Sequence, residues 1–139
     1  MMSERAAQDA VTGPKWDRRY AEEGYIFGTA PNAFLASEAH RFAPAGRILV
    51  PGDGEGRNGV WLAEHGFAVT SVDASAVGVE KARALAARRG VRLDIQHANL
   101  ETWDWPEGVF DGVAAIFVHF EPHVRRTMHR RMLAVLRLG

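Results

Sequence analysis

From Arg47 onward, short β-branched apolar runs alternate with stretches of helical period. Residues 47–51, 68–73, 91–96 and 110–118 read as strands, with helices over 57–65 and 75–89 between them. Ser75 stands where an N-cap belongs, and Gly66 and Gly90 fall where helices end. Strand–helix alternation of this kind predicts an α/β fold, a Rossmann-like doubly wound parallel sheet in the order 3-2-1-4 with helices on both faces. Upstream, Asp17 to Glu23 reads as a short helix presenting Trp16 and Tyr20 on one side. Pro31 then opens a helix carrying Phe34, Leu35, Ala39 and Phe42 at helical spacing. Residues 1–14 read as a flexible tail, leaving 15–139 as the domain. Glu121-Pro122 begins a last helix with an apolar stripe of Val124, Met128, Leu133 and Leu136. The strand expected after that helix is missing from the pattern, so one edge of the fourth strand is expected bare. Either the chain is a fragment of a longer protein, or a homodimer contact, a swapped segment or another chain covers that edge.

Composition narrows the partners. With 17 Lys plus Arg against 17 Asp plus Glu, no global field favours nucleic acid or an anionic membrane. The absence of cysteine excludes disulfides, thiolate metal sites and cysteine nucleophiles. The first residues lack the apolar core of a signal peptide and no run approaches membrane-spanning length, so the expected location is cytoplasmic.

Chemistry concentrates where the first strand runs into Pro51-Gly52-Asp53-Gly54-Glu55-Gly56, and Asp73 closes the second strand 21 residues after Gly52. A glycine turn followed by an acid after the next strand outlines a nucleoside pocket, with the acid placed for a ribose diol. The two loop acids point away from a dinucleotide: charges about 6 Å apart at an effective dielectric near 20 repel by roughly 3 kcal/mol, enough to erode pyrophosphate binding. S-adenosylmethionine, with a ribose, no phosphate, and two cationic groups against one carboxylate, suits the loop better. The alternative parse Gly54-x-Gly56-x-x-Gly59 matches the dinucleotide fingerprint and keeps an NAD-binding domain as the rival reading.

The ordered set of glycine loop, Asp73, Asn99-Leu100 and the run Phe110 to Phe120 resembles the class I S-adenosylmethionine-dependent methyltransferases, over roughly residues 16–139. Trp16-Asp17-Arg18-Arg19-Tyr20 ahead of Tyr25-x-Phe27-Gly28-Thr29-x-Pro31-Asn32 is similar to the small bacterial enzymes of the tellurite-resistance and thiopurine-methyltransferase type. The resemblance implies that Gly52, Gly54 and Gly56 pass under the methionine part of the cofactor and that Asp73 holds the ribose. It places Ala74, Asn99 and Leu100 at the adenine, Ile116 and Phe117 facing the methionine moiety, and His119 at the mouth where a small-molecule acceptor enters. It also folds Trp16 to Phe27 over the cofactor. Val50 stands where the family usually has an acid, and Asp53 would then substitute in neutralising the cofactor's ammonium. Asn99 replaces a common adenine-side acid and offers its carbonyl to an exocyclic amine.

Several residues keep two readings. His119 is either a general base or a docking group, and methyl transfer to a soft acceptor needs no base. Trp16, Tyr20, Tyr25 and Phe27 are either an aromatic lid or ordinary core. His119 and His123 have metal-ligand spacing, but Pro122 interrupts a shared helix and no third ligand stands nearby. The arginines of the last helix read as its solvated face. The function these readings support is methyl transfer from S-adenosylmethionine, against a non-catalytic or truncated cofactor-binding domain.

Overall fold

The computed structural model describes residues 13–116 and 118–137. The residues before Gly13, including most of the expected tail, and Phe117 lie outside that range. The elements are α1 (Gly13–Tyr20), α2 (Ala33–Glu38) with a 3-10 turn at Ala39–Arg41, β1 (Arg47–Pro51), α3 (Arg57–Glu64), β2 (Ala68–Asp73), α4 (Ala76–Arg89), β3 (Asp94–His97), β4 (Gly112–Val113) and α5 (Pro122–Ala134). The sheet is parallel throughout, in the order β3-β2-β1-β4. This is the expected topology.

Alternation along β1 builds the layers. Ile48 and Val50 face one way, into a cluster with Leu35, Ala39, Leu62 and Val69. Leu49 faces the other, against Val72, Trp105, Phe110, Met128 and Val135. Trp103 and Trp105 join this second cluster as an edge-on pair with ring centroids 5.1 Å apart. The Trp105 indole donates to the Leu100 carbonyl at 2.8 Å, which fixes the turn beneath the cavity described below.

Two strands differ from their expected spans, each for a local reason. β3 starts at Asp94 and not at Val91 because the Val91 N–H closes the end of α4, donating to the Ala86 carbonyl at 3.1 Å beside the left-handed Gly90. β4 covers only Gly112 and Val113 of the expected 110–118. Its rungs to β1 pass through Leu49, whose carbonyl accepts the Ala114 N–H at 2.9 Å. The next β1 residue facing that way, two along, is Pro51, which has no N–H to give, so the ladder stops.

The remaining differences lie at the helices. The segment before β1 forms α1 from Gly13, four residues earlier than expected, and α2 starts from Asn32, whose side chain accepts the Leu35 N–H. Of the expected apolar stripes, Leu35 and Met128 are buried, whereas Phe34 and Leu133 are each 69% exposed. After α5 the chain returns beside the start of the fourth strand. Val109 and Phe110 donate to the Val135 carbonyl at 2.8 and 2.9 Å, and Phe110 bridges Leu136 in parallel. The edge expected bare is therefore paired there by the chain itself. Among the described residues no helix is long and apolar enough to cross a membrane.

Candidate functional site

A cavity of about 720 Å³ opens over the carboxyl ends of β1 and β2, within the roughly 300–1,000 Å³ usual for ligand pockets. The structure brings together at its wall Gly52, Asp53, Gly54, Asp73, Ala74, Asn99, Leu100, Ile116 and His119. Gly56 is not among them. At φ 90° it starts α3, and a side-chain carbon there would meet the Ala82 Cβ at 2.6 Å. That glycine seats α3 on α4 and touches no ligand space.

Asp73 sits at the floor. One carboxylate oxygen accepts the Gly54 N–H at 3.0 Å and the other the Ser75 N–H at 2.9 Å. Burial raises its pKa from the ordinary carboxylate value, against the lowering effect of those two bonds. A carboxylate offers about four acceptor positions, so roughly two remain for hydroxyls arriving from the cavity. Ala74, beside it, has its carbonyl bonded to His97 Nε2 at 2.9 Å.

The loop acids do not behave as the charge argument required. Asp53 turns its carboxyl into the protein, where Oδ2 accepts from the Ser71 hydroxyl at 2.9 Å and from the Gly59 N–H at 3.1 Å. Burial pushes its pKa up to about 7. It cannot offer that carboxylate to a ligand's ammonium, so this expectation is corrected. Gly59, the third glycine of the dinucleotide parse, is a glycine for this contact: a Cβ there would lie 2.4 Å from Asp53 Oδ2. One of the free N–H groups at the start of α3, which a pyrophosphate would use, is thereby already bound. The case against a dinucleotide survives on this bond and no longer on repulsion. Glu55 is also turned away, toward Ile26 and Lys81.

Asn99 is likewise engaged differently from its expected role. Its side-chain carbonyl accepts the Glu101 N–H at 2.9 Å and orders the turn after β3, which leaves the amide NH₂ as the group free to donate.

The aromatic residues divide. Trp16, Tyr20 and Phe27 line the cavity, with Trp16 and Tyr20 stacked at 5.3 Å and Phe27 6.3 Å from Trp16. Tyr20 lies over the glycine loop. A Cβ at Gly54, whose φ is 57°, would stand 2.5 Å from its hydroxyl oxygen. Burial, and then the Asp73 and Glu55 carboxylates, hold the Tyr20 phenol well above its usual pKa, so it stays protonated. Tyr25 instead packs with Val60 and Leu85, and its hydroxyl donates to the Lys81 carbonyl at 3.0 Å.

His119 is exposed at the mouth, close to His123 and Glu121, which also line the cavity. No group of three or more His, Asp or Glu able to hold a metal occurs among the described residues. Sequence reasoning missed Asn58, Val118 and Lys81. Asn58 is buried in the wall and accepts the Asn32 N–H at 2.8 Å, while Val118 packs on Gly52. Asn58 adjoins the glycine loop and could have been found by that neighbourhood, whereas Lys81 lies 26 residues from Glu55 with no pattern to link them.

A parallel sheet with a glycine turn under a cavity and an acid at the end of the second strand defines a Rossmann-like nucleoside-binding domain. Residues 48–139 match the model of a family described as "Methyltransferase domain", and the chain belongs to that family. Its fold is that of the S-adenosylmethionine-dependent methyltransferases. A solved structure reported for the conversion of a disulfide bond into a thioacetal group during echinomycin biosynthesis superposes with TM-score 0.77 and 27% identity, over 91% of this chain and 56% of that one. An S-adenosylmethionine-dependent methyltransferase from Mesorhizobium loti gives TM-score 0.63 and 25% identity, over 78% of this chain and 50% of that one. TehB from Haemophilus influenzae gives TM-score 0.72 at 18% identity, over 82% and 40%, a likeness of fold. The ribosomal RNA small subunit methyltransferase C of Alcanivorax borkumensis is 37% identical over 65 residues, 47% of this chain and 20% of that protein. The chain thus spans about half the length of these solved structures and a fifth of the curated relative.

Proposed function

We propose that the domain binds S-adenosylmethionine in the 720 Å³ cavity and transfers its methyl group to a small-molecule acceptor entering past His119. The observation that carries this reading is Asp73, fixed by two backbone N–H groups at the floor of the cavity with lone pairs left for a ribose diol. The residues present suit that cofactor: a phosphate-free nucleoside makes no demand on the start of α3, where Asp53 already bonds Gly59. Ala74 and Leu100 supply apolar contact for adenine and the Asn99 amide a donor for a ring nitrogen; Ile116 is assigned to the methionine side.

When bound, S-adenosylmethionine supplies a methyl group already activated by a sulfonium. The chain's own work is then alignment and exclusion of water. Asp73 fixes the sugar, Trp16, Tyr20 and Phe27 roof the cavity, and His119 orients the acceptor at the mouth. The neutral Tyr20 phenol places an O–H beside the loop without adding charge. The relative named for ribosomal RNA matches too little of its own length to make RNA the favoured acceptor.

Calorimetry with S-adenosylmethionine on the wild type and on Asp73→Ala tests the reading. One charge-assisted hydrogen bond, worth about 1.5–3 kcal/mol, predicts a roughly ten- to hundredfold weaker Kd. Equal affinities would remove Asp73 from the site.

A further inference from the structure

We propose that Glu55 and Lys81 form a latch that holds the segment from Trp16 to Phe27 closed over the cavity. They are positioning residues that slow ligand escape, and this functional half rests on the S-adenosylmethionine reading above. Glu55 belongs to the glycine loop and its side chain is only 4% exposed. One carboxylate oxygen accepts the Ile26 N–H at 2.8 Å, and the other accepts from Lys81 Nζ at 3.0 Å. Lys81, on α4, gives its other two protons to the carbonyls of Glu22 and Gly24, at 2.7 and 2.5 Å. An ammonium has three donors, and here all three are used. Two reach the segment and one reaches the loop.

This geometry ties three parts of the chain at one point. Phe27, which lines the cavity, follows directly on Ile26. It cannot swing away from the cavity without breaking the Ile26–Glu55 bond or dragging the loop with it. At its other end the segment is held independently, because Asp17 accepts from the Ser75 hydroxyl at 2.5 Å and from the Val77 N–H at 3.2 Å. The hinge side therefore stays anchored while the Glu22–Phe27 side is released by loss of the latch. Leaving either charge buried without the other is costly, so the pair opens as a unit.

The test uses Glu55→Gln, Lys81→Met, their combination, and Lys81→Arg as the conservative control. Hydrogen–deuterium exchange of segment 22–28 is followed without ligand, and S-adenosylmethionine dissociation is followed by stopped-flow tryptophan fluorescence. Each single variant should raise the exchange of segment 22–28 and the dissociation rate about tenfold, the effect of one charge-assisted hydrogen bond. The amides of β1 and β2 should remain protected. The double variant should fall short of the sum of the two singles, because the Glu55–Lys81 ion pair is lost in each of them, and Lys81→Arg should recover part of the effect. Wild-type exchange in segment 22–28 for all variants, or fully additive effects, would overturn the latch. If Lys81→Met alone unfolds, the double variant, which leaves neither charge buried, decides the matter. Failure of wild-type protein to bind S-adenosylmethionine would refute the cofactor reading, while the ligand-free exchange data would still judge the latch.

Discussion

Replacing Asp53 by asparagine converts the inward-facing carboxyl into a neutral group of nearly the same shape. In the folded chain burial holds this carboxyl's pKa at about 7, against 3.8 for the free side chain. Between those values the folded protein keeps a proton that the unfolded chain has released. The stability Asp53 contributes is therefore full below about pH 3.8 and is lost as pH rises toward 7, after which the penalty is constant. At 1.36 kcal/mol per pH unit, the two units from pH 5 to pH 7 amount to about 3 kcal/mol, a large part of the roughly 5–15 kcal/mol that stabilises a domain. Asp73 shifts in the same direction, so the wild-type slope holds contributions from both. Asp53→Asn removes only the first. Its side-chain carbonyl can still accept from Gly59 and Ser71, the partners of Asp53. Urea unfolding at pH 5 and pH 8 on both proteins isolates the difference. The variant should gain about 3 kcal/mol relative to wild type between the two pH values. Parallel pH profiles for the two proteins would refute a buried, protonated Asp53.

Other consequences follow from single contacts. Gly56→Ala should destabilise by roughly 1–3 kcal/mol in a thermal melt, because its Cβ enters Ala82 at a left-handed φ; an unchanged Tm would contradict the α3–α4 packing. Pro51→Val supplies the missing N–H opposite Ala114, so exchange measurements should find a new protected amide at position 51, and rapid exchange there would show that the ladder ends for another reason. With any acceptor that supports turnover, His119→Ala should raise KM for the acceptor and lower kcat by less than about tenfold; a drop of a hundredfold or more, the scale of general base catalysis, would make His119 the base.

The sheet order and the limits of β1 and β2 were legible because both strands are β-branched runs buried on two faces and closed by glycine or a cap, so local pattern and tertiary role coincide. β4 was over-read for a reason on another strand. Its apolar run is long enough, but pairing requires a donor that Pro51 lacks, and composition along 110–118 cannot report a partner's missing N–H. The position of Asp73 was readable from its spacing to the glycines. The directions of Asp53 and Glu55 were not, since an acid in a glycine loop is equally compatible with facing a ligand, a helix end or a distant lysine. The deciding partners, Ser71 at 18 residues and Lys81 at 26, carry no local signature. Asn99 was placed correctly at the turn after β3, but its carbonyl was already committed to Glu101 two residues on, a short-range bond favoured by asparagine in turns.

The most direct test of the central claim is a crystal structure of the chain soaked with S-adenosylmethionine. The ribose hydroxyls should lie within hydrogen-bond distance of the Asp73 carboxylate, the adenine beside Ala74 and Leu100, and the methyl group turned toward His119, with Tyr20 and Phe27 closed above. A ligand bound elsewhere, or a ribose that makes no contact with Asp73, would contradict the account.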